Sequence, residues 1–272
     1  MIRLEGVTKR FRSAAGERLA LDAVDLTVEA GQVFGVVGRS GAGKSTLVNL
    51  LSGNLPPSSG FVHIGGEPMT GKPAFVLARH GLSRTFQTPC LFEGMDVSAT
   101  VKVGAHLRGT VGMLRSALPT RGAVLEERRL DAEVAAVLAR LGLAHLAARD
   151  ANSLSLGHQK QIEIARALVG QPTVLLLDEP CAGLNKAEKK KLMLLLRQLG
   201  AEGLAVLVIE HDMEFVMASA DRVQVLNFGA TLREGRPADV QADRAVIDAY
   251  LGVAPSLAAD DQAPLTRTGV PR

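Results

Sequence analysis

The sequence predicts an α/β fold with a mainly parallel, helix-covered sheet. Three observations predict it. Short continuous apolar runs such as Val174-Leu175-Leu176-Leu177 alternate with segments of helical periodicity, the pattern of parallel strands joined by helices. One such run, Val33-Phe34-Gly35-Val36-Val37, leads straight into a glycine-rich stretch and then into the helix-like Leu47-Val48-Asn49-Leu50-Leu51. The chain has 272 residues and is 47% hydrophobic, enough for one large domain or two small ones with a sizeable core.

The elements follow in order. Residues 2–7 and 26–28 read as strands of a small antiparallel sheet. The strand at 33–37 and its following helix end near Gly53, and Pro56-Pro57-Ser58-Ser59-Gly60 is a turn cluster. Residues 61–64 and 82–86 read as strands, the second broken by Gln87-Thr88-Pro89. From about 97 to 146 the pattern turns helical, with Leu130, Val134, Val137, Leu138 and Leu141 at spacings of three and four. Gly157 begins a further helix. Residues 174–177 and 205–209 are buried parallel strands with a helix over 192–199 between them. Residues 222–226 and 231–234 flank Asn227-Phe228-Gly229-Ala230 as a hairpin. After Gly252 the chain is rich in Ala, Pro, Asp and Thr without periodicity, so residues 253–272 are expected to be a disordered tail.

Composition excludes several classes. The formal net charge is +3 and aromatics are 3%, which gives no basic or stacking surface for nucleic acid. Lys189-Lys190-Lys191 falls in a helical pattern and reads as a solvated face. Two cysteines, Cys90 and Cys181, make neither a disulfide framework nor a four-ligand metal site. No apolar stretch reaches the roughly 20 residues that cross a bilayer. Residues 1–7 alternate like a strand, so no signal peptide is expected.

The most informative stretch is Gly38-Arg39-Ser40-Gly41-Ala42-Gly43-Lys44-Ser45-Thr46. It fits the P-loop pattern at every fixed position, between a strand and a helix as that motif requires. Its glycines let backbone N–H groups turn toward phosphate oxygens, and the helix N-terminus adds partial positive charge. Lys44 is placed to reach the β- and γ-phosphates, and the Ser45 hydroxyl to ligate Mg²⁺.

Further segments follow in a fixed order: Gln87; Leu154-Ser155-Leu156-Gly157-His158; Asp178-Glu179 at a strand end; Ala182-Gly183-Leu184-Asn185; and His211 after the next strand. Taken singly, each has a bland structural explanation. Together they resemble the ATP-binding cassette, or ABC, ATPase family over residues 1–252. The resemblance implies a P-loop NTPase core with a small antiparallel β subdomain and an α-helical subdomain within about residues 95–170. It implies ATP and Mg²⁺ as cofactors, with Ser45, Gln87 and Asp178 at the metal. Glu179 resembles the carboxylate that polarises the attacking water, and His211 the histidine that contacts the γ-phosphate. Gln87 resembles the residue that senses Mg²⁺ and communicates with the membrane partner. Phe11 stands where the family stacks an aromatic ring on adenine. Ser155 and Gly157 resemble the motif that caps the γ-phosphate of ATP held by a second subunit.

Two motifs depart from the family pattern. Leu156 and His158 replace the third and fifth residues of LSGGQ, and Asn185 stands where an Asp is usual. A side chain at 156 either crowds close backbone approach or points away, and Asn185 removes a charge from the dimer interface.

Asp178 to Asn185, Ile209-Glu210-His211-Asp212-Met213 and Ala249-Tyr250-Leu251-Gly252 further resemble the ATPase subunits of branched-chain amino acid importers. That resemblance implies an ATPase on the cytoplasmic face of the membrane, held there by a separate permease. It pairs with a second cassette subunit or with itself, and is served indirectly by an extracytoplasmic solute-binding protein. Importers of urea or short amides are the alternative. Lipopolysaccharide-export ATPases and non-transport cassette proteins stand further off, and no nucleic acid partner is expected. Leu91, Phe92 and Met95 are candidates either for the permease groove or for ordinary core packing.

Overall fold

The computed structural model describes residues 1–13, 16–108 and 121–251, so the expected tail at 253–272 lies outside the described residues. A four-stranded antiparallel sheet, in the order β2-β1-β4-β5, comprises β1 (Ile2–Ser13), β2 (Gly16–Val28), β4 (Ser59–Ile64) and β5 (Glu67–Pro68). A six-stranded sheet runs β10-β9-β3-β8-β7-β6. Its members are β3 (Val33–Val37), β6 (Leu82–Arg84), β7 (Val174–Asp178), β8 (Ala205–Glu210), β9 (Arg222–Asn227) and β10 (Ala230–Gly235). All its pairings are parallel except the β9–β10 hairpin.

The central strands are apolar on both faces because both faces are covered. Phe34, Val36, Leu176, Leu207 and Ile209 join one buried cluster with the antiparallel sheet and with α1 (Lys44–Leu51). The alternate residues Val33, Val37, Leu175, Leu177 and Val208 join a second cluster. There they meet Leu192 and Leu196 of α6 (Lys186–Ala201) and Phe215 and Val216 of α7 (Met213–Ser219). The period-two split is what a pleated strand imposes.

A third cluster lies within the helical stretch. It joins α3 (Val97–Lys102), α4 (Arg121–Arg140) and α5 (Leu156–Val169) through Val101, Val134, Leu138, Ile162 and Ala165. All five apolar positions read from the periodicity face this cluster. Helix α5 is shared, because its Ile164 and Leu168 pack on the sheet cluster instead. Residues 109–120 of the helical stretch lie outside the described residues.

Apart from small shifts elsewhere, four boundaries differ from expectation. The strand expected at 2–7 runs on to Ser13 as β1. The strand expected at 26–28 is the end of the 13-residue β2. Most of its first half is exposed, so it carries no alternation to read. The strand expected at 82–86 ends at Arg84, with a last ladder-like bond from Thr85 N to Leu176 O of 3.0 Å. The helix expected from Leu192 begins at Lys186, where Asn185 caps it. The short helices α2 (Ala74–Arg79), α7, α8 (Pro237–Gln241) and α9 (Arg244–Leu251) carried no clear periodic signal.

Candidate functional site

The parallel strands β3, β7 and β8 release their C-terminal ends at one edge of the sheet, and most of the sequence-predicted residues, though not Ser155 and Gly157, gather there. After β3 the loop turns back into α1 at Gly43, whose φ of 108° is left-handed. A Cβ at that position would stand 2.7 Å from the Ala20 carbonyl oxygen of β2. Both the conformation and the approach therefore demand glycine. The tip of the β9–β10 hairpin also braces the loop, with Gly229 N donating to Ala42 O at 3.0 Å.

Lys44 is buried and folded over this loop. Its Nζ donates to Gly38 O at 2.6 Å and to Arg39 O at 3.1 Å. Burial pulls its pKa down, and the carboxylates of Glu179, Glu210 and Asp178 oppose that shift. A cavity of about 540 Å³ opens beside it. Phe11, Arg18 and Ala20 line the cavity from the antiparallel sheet. Ser40, Gly41, Gly43, Lys44, Ser45 and Thr46 form its floor, and Glu179 and His211 its far wall. Phe11 and Arg18 are cross-strand partners, and the Lys9 ammonium lies 5.3 Å from the Phe11 ring centroid.

Asp178 ends β7, with its side chain 15% exposed. Arg84 Nη2 donates to Asp178 Oδ2 at 3.1 Å, while Nη1 reaches Ser52 Oγ at 2.7 Å and Asn49 Oδ1 at 3.2 Å. Arg84 thus ties β6, α1 and the carboxylate together. Burial raises the Asp178 pKa and Arg84 opposes the rise. Glu179 follows at φ 46°, a left-handed conformation rare outside glycine. Its Oε2 accepts from Gln87 Nε2 at 2.7 Å and lies 3.8 Å from His211 Nδ1. Gln87, Glu179 and His211 therefore converge on one carboxylate. Beneath them the fully buried Glu210 accepts from Cys181 N at 2.6 Å and from His211 N at 3.1 Å.

Ser155 and Gly157 do not line this cavity. Ser155 caps α5, its Oγ accepting from His158 N at 3.4 Å and lying 3.0 Å from His158 Nδ1. The two departures from the family pattern find local partners. Leu156 leans on Gly183, where an added Cβ would meet Leu156 Cδ2 at 2.4 Å. Asn185 forms a reciprocal cap with Glu188: Glu188 N donates to Asn185 Oδ1 at 3.0 Å, and Asn185 N to Glu188 Oε2 at 2.8 Å.

Sequence reasoning missed Arg18, Arg84, Lys160 and Glu210. Arg18 leaves no local trace. Glu210 extends an otherwise apolar buried strand, and a carboxylate there demands donors. Lys160 falls three residues after Gly157 and four before Ile164, both buried, and so on the buried stripe of α5.

The chain resembles known proteins over nearly its whole length. A family model described as ABC transporter matches residues 21–182, and one described as branched-chain amino acid ATP-binding cassette transporter matches 234–255. The high-affinity branched-chain amino acid transport ATP-binding protein BraF of Pseudomonas aeruginosa is 38% identical over 255 residues, 93% of this chain and 98% of the relative. The crystal structure of a nucleotide-free ATP-binding cassette from an ABC transporter superposes with TM-score 0.78 at 32% identity, covering 92% of this chain and 98% of that one. A dimeric post-hydrolysis cassette bound to ADP and Pi superposes with TM-score 0.74 at 26% identity, covering 87% and 99%.

Proposed function

The chain belongs to the ABC transporter family as an ATP-binding, ATP-hydrolysing subunit, and on that premise we propose that it energises import of branched-chain amino acids through a separate membrane permease. The observation that carries the solute class is the likeness to BraF over 93% of the chain, with residues 234–255 matched on their own by a branched-chain amino acid transporter model. Among the described residues no helix is long and apolar enough to cross a membrane, so transport requires a partner that spans it.

In this reading residues 1–252 are one ATPase unit with a helical subdomain at about 95–170. The amides of residues 38–46 cradle the phosphates, and Lys44 exchanges its two carbonyl partners for phosphate oxygens. Phe11 stacks on adenine. Glu179 accepts a hydrogen bond from the attacking water and orients it, as a carboxylate can without competing for the phosphate charge. His211 contacts the γ-phosphate. The hydroxyl of Ser45, the carboxylate of Asp178 and the amide oxygen of Gln87 are hard oxygen donors suited to Mg²⁺. Among the described residues no cluster of three or more His, Cys, Asp or Glu competes for the role of metal site. Such a sparse set leaves places for phosphate oxygens and water, as Mg²⁺ prefers. Held by Ser45, Asp178 and Gln87, the metal would supply positive charge against the charge that develops on the phosphate. Gln87, bonded to Glu179, connects this centre to the permease-facing loop. Phe92, 42% exposed, is the apolar contact offered there.

Ser155 and Gly157 lie away from the cavity and serve a second subunit's ATP, so the working unit is a head-to-tail dimer on the cytoplasmic face of the membrane. Hydrolysis drives the permease only if ATP binds the closed dimer better than the open one. Uptake of labelled leucine, isoleucine and valine in cells lacking the gene tests the solute class. Loss restored by the wild-type chain and not by Lys44→Ala is expected. Unchanged amino acid uptake with lost urea uptake would replace the solute assigned here.

A further inference from the structure

The turn that carries Glu179 is in a conformation the chain adopts only under constraint. Glu179 is left-handed at φ 46° and is followed by Pro180. A non-glycine residue holds such a conformation only where its surroundings over-determine it. Three contacts do so here. Glu179 N donates to Ile209 O at 2.9 Å, and Cys181 N donates to the buried Glu210 at 2.6 Å. The third comes from a different layer: Lys160 Nζ donates to Glu179 O at 2.9 Å and to Pro180 O at 3.3 Å.

Lys160 is 5% exposed, and both of these bonds go to main-chain carbonyls. Burying an ammonium is costly unless it is used. Burial lowers its pKa, and the field of Glu210 is the largest opposing influence. The lysine sits on α5, five residues after Ser155, which caps that helix. One rigid helix therefore has the phosphate-capping residues at its first turn and the support of the Glu179 turn in its second.

We infer that Lys160 is a positioning residue that holds the left-handed Glu179 turn and aims its carboxylate into the nucleotide cavity, tying the hydrolytic carboxylate of one ATP site to the segment that closes the other. This deepens the proposed function and rests on it. A shift of the Ser155 end of α5 on dimer closure would be transmitted through the Lys160 ammonium to the Glu179 backbone. Hydrolysis in one site would then respond to closure of the second.

The test uses the purified full chain. Lys160→Met keeps the length of the side chain and removes the donors. ATP affinity, steady-state kcat and KM, and Tm are measured for it, for Glu179→Gln and for the double variant. The expectation is an ATP Kd within about twofold of wild type and a kcat lowered about 100-fold, the scale of a misplaced catalytic group. Placed on Glu179→Gln, Lys160→Met should cost no further activity, because both act through one carboxylate. Wild-type kcat in Lys160→Met, or full additivity in the double variant, overturns the inference. If Lys160→Met loses ATP binding together with its Tm, the decision passes to Lys160→Arg, which retains donors. Near wild-type kcat there supports the role, and a kcat falling only in step with ATP binding overturns it. Absence of hydrolysis in the wild-type chain would instead overturn the ATPase reading on which this one stands.

Discussion

Lys44 shows how much one side chain carries at this site. Its ammonium is buried against two carbonyls of its own loop, in the field of three carboxylates. In the proposed function those carbonyls give way to phosphate oxygens. A hydrogen bond to a charged group contributes about 1.5–3 kcal/mol. Lys44→Ala is therefore expected to weaken ATP binding by roughly 10- to 100-fold, since about 1.4 kcal/mol is a factor of ten. Equilibrium binding of a labelled nucleotide checks it, and unchanged affinity would remove the loop as the nucleotide site. At this scale the sequence was informative where a motif holds its own chemistry. Lys44 and Ser45 were readable because strand, loop and helix are contiguous, whereas Asp178 and Glu179 stood out only through the order of the segments that mark the family. Arg84 was not, because what makes it matter is its reach to Ser52, Asn49 and Asp178, all distant along the chain.

Among the elements, α6 begins where it does because of its cap. Asn185 exchanges hydrogen bonds with Glu188, and that pair lies directly against Gly157, where an added Cβ would come within 2.3 Å of Glu188 Oε1. The family departure at 185 thus keeps a good capping residue while changing the charge. Loss of such a cap costs about 1 kcal/mol. Asn185→Ala should lower Tm by about 2–4 °C in a chain of this size, with Asn185→Asp near wild type. Thermal unfolding monitored by circular dichroism measures both, and an unchanged Tm in the alanine variant would show that the cap contributes nothing. Helix periodicity was legible in α4, whose apolar stripe is regular, and illegible in α7 and α8, which have seven and five residues. Two turns or fewer do not establish a period.

At the scale of the whole molecule, the nucleotide cavity and the Ser155 cap lie apart in one chain. A site completed by a second subunit follows from the proposed function. Glu179→Gln should keep ATP binding, lose about 10²–10⁴ in hydrolysis rate, and elute as a dimer in the presence of ATP and Mg²⁺. Phosphate release and gel filtration measured together decide it. Rapid hydrolysis by the variant would remove Glu179 from its role, and a monomer at saturating ATP would argue against the two-subunit site.

The sequence by itself determined the α/β class, the P-loop and its strand–helix setting, and the order of the segments that mark the family. These depend on local properties: apolar runs, glycine conformations and the hydrogen-bonding capacity of a few side chains within a short stretch. Only the tertiary structure decided that Gln87, Glu179 and His211 meet at one carboxylate, and that Leu156 rests on Gly183. It alone decided that two buried charges, Lys160 and Glu210, both bond to the main chain of the turn after β7. The reason is physical. A buried charge is tolerated only beside its partner, and here those partners are main-chain groups brought near by sheet order and helix packing, which no local pattern records.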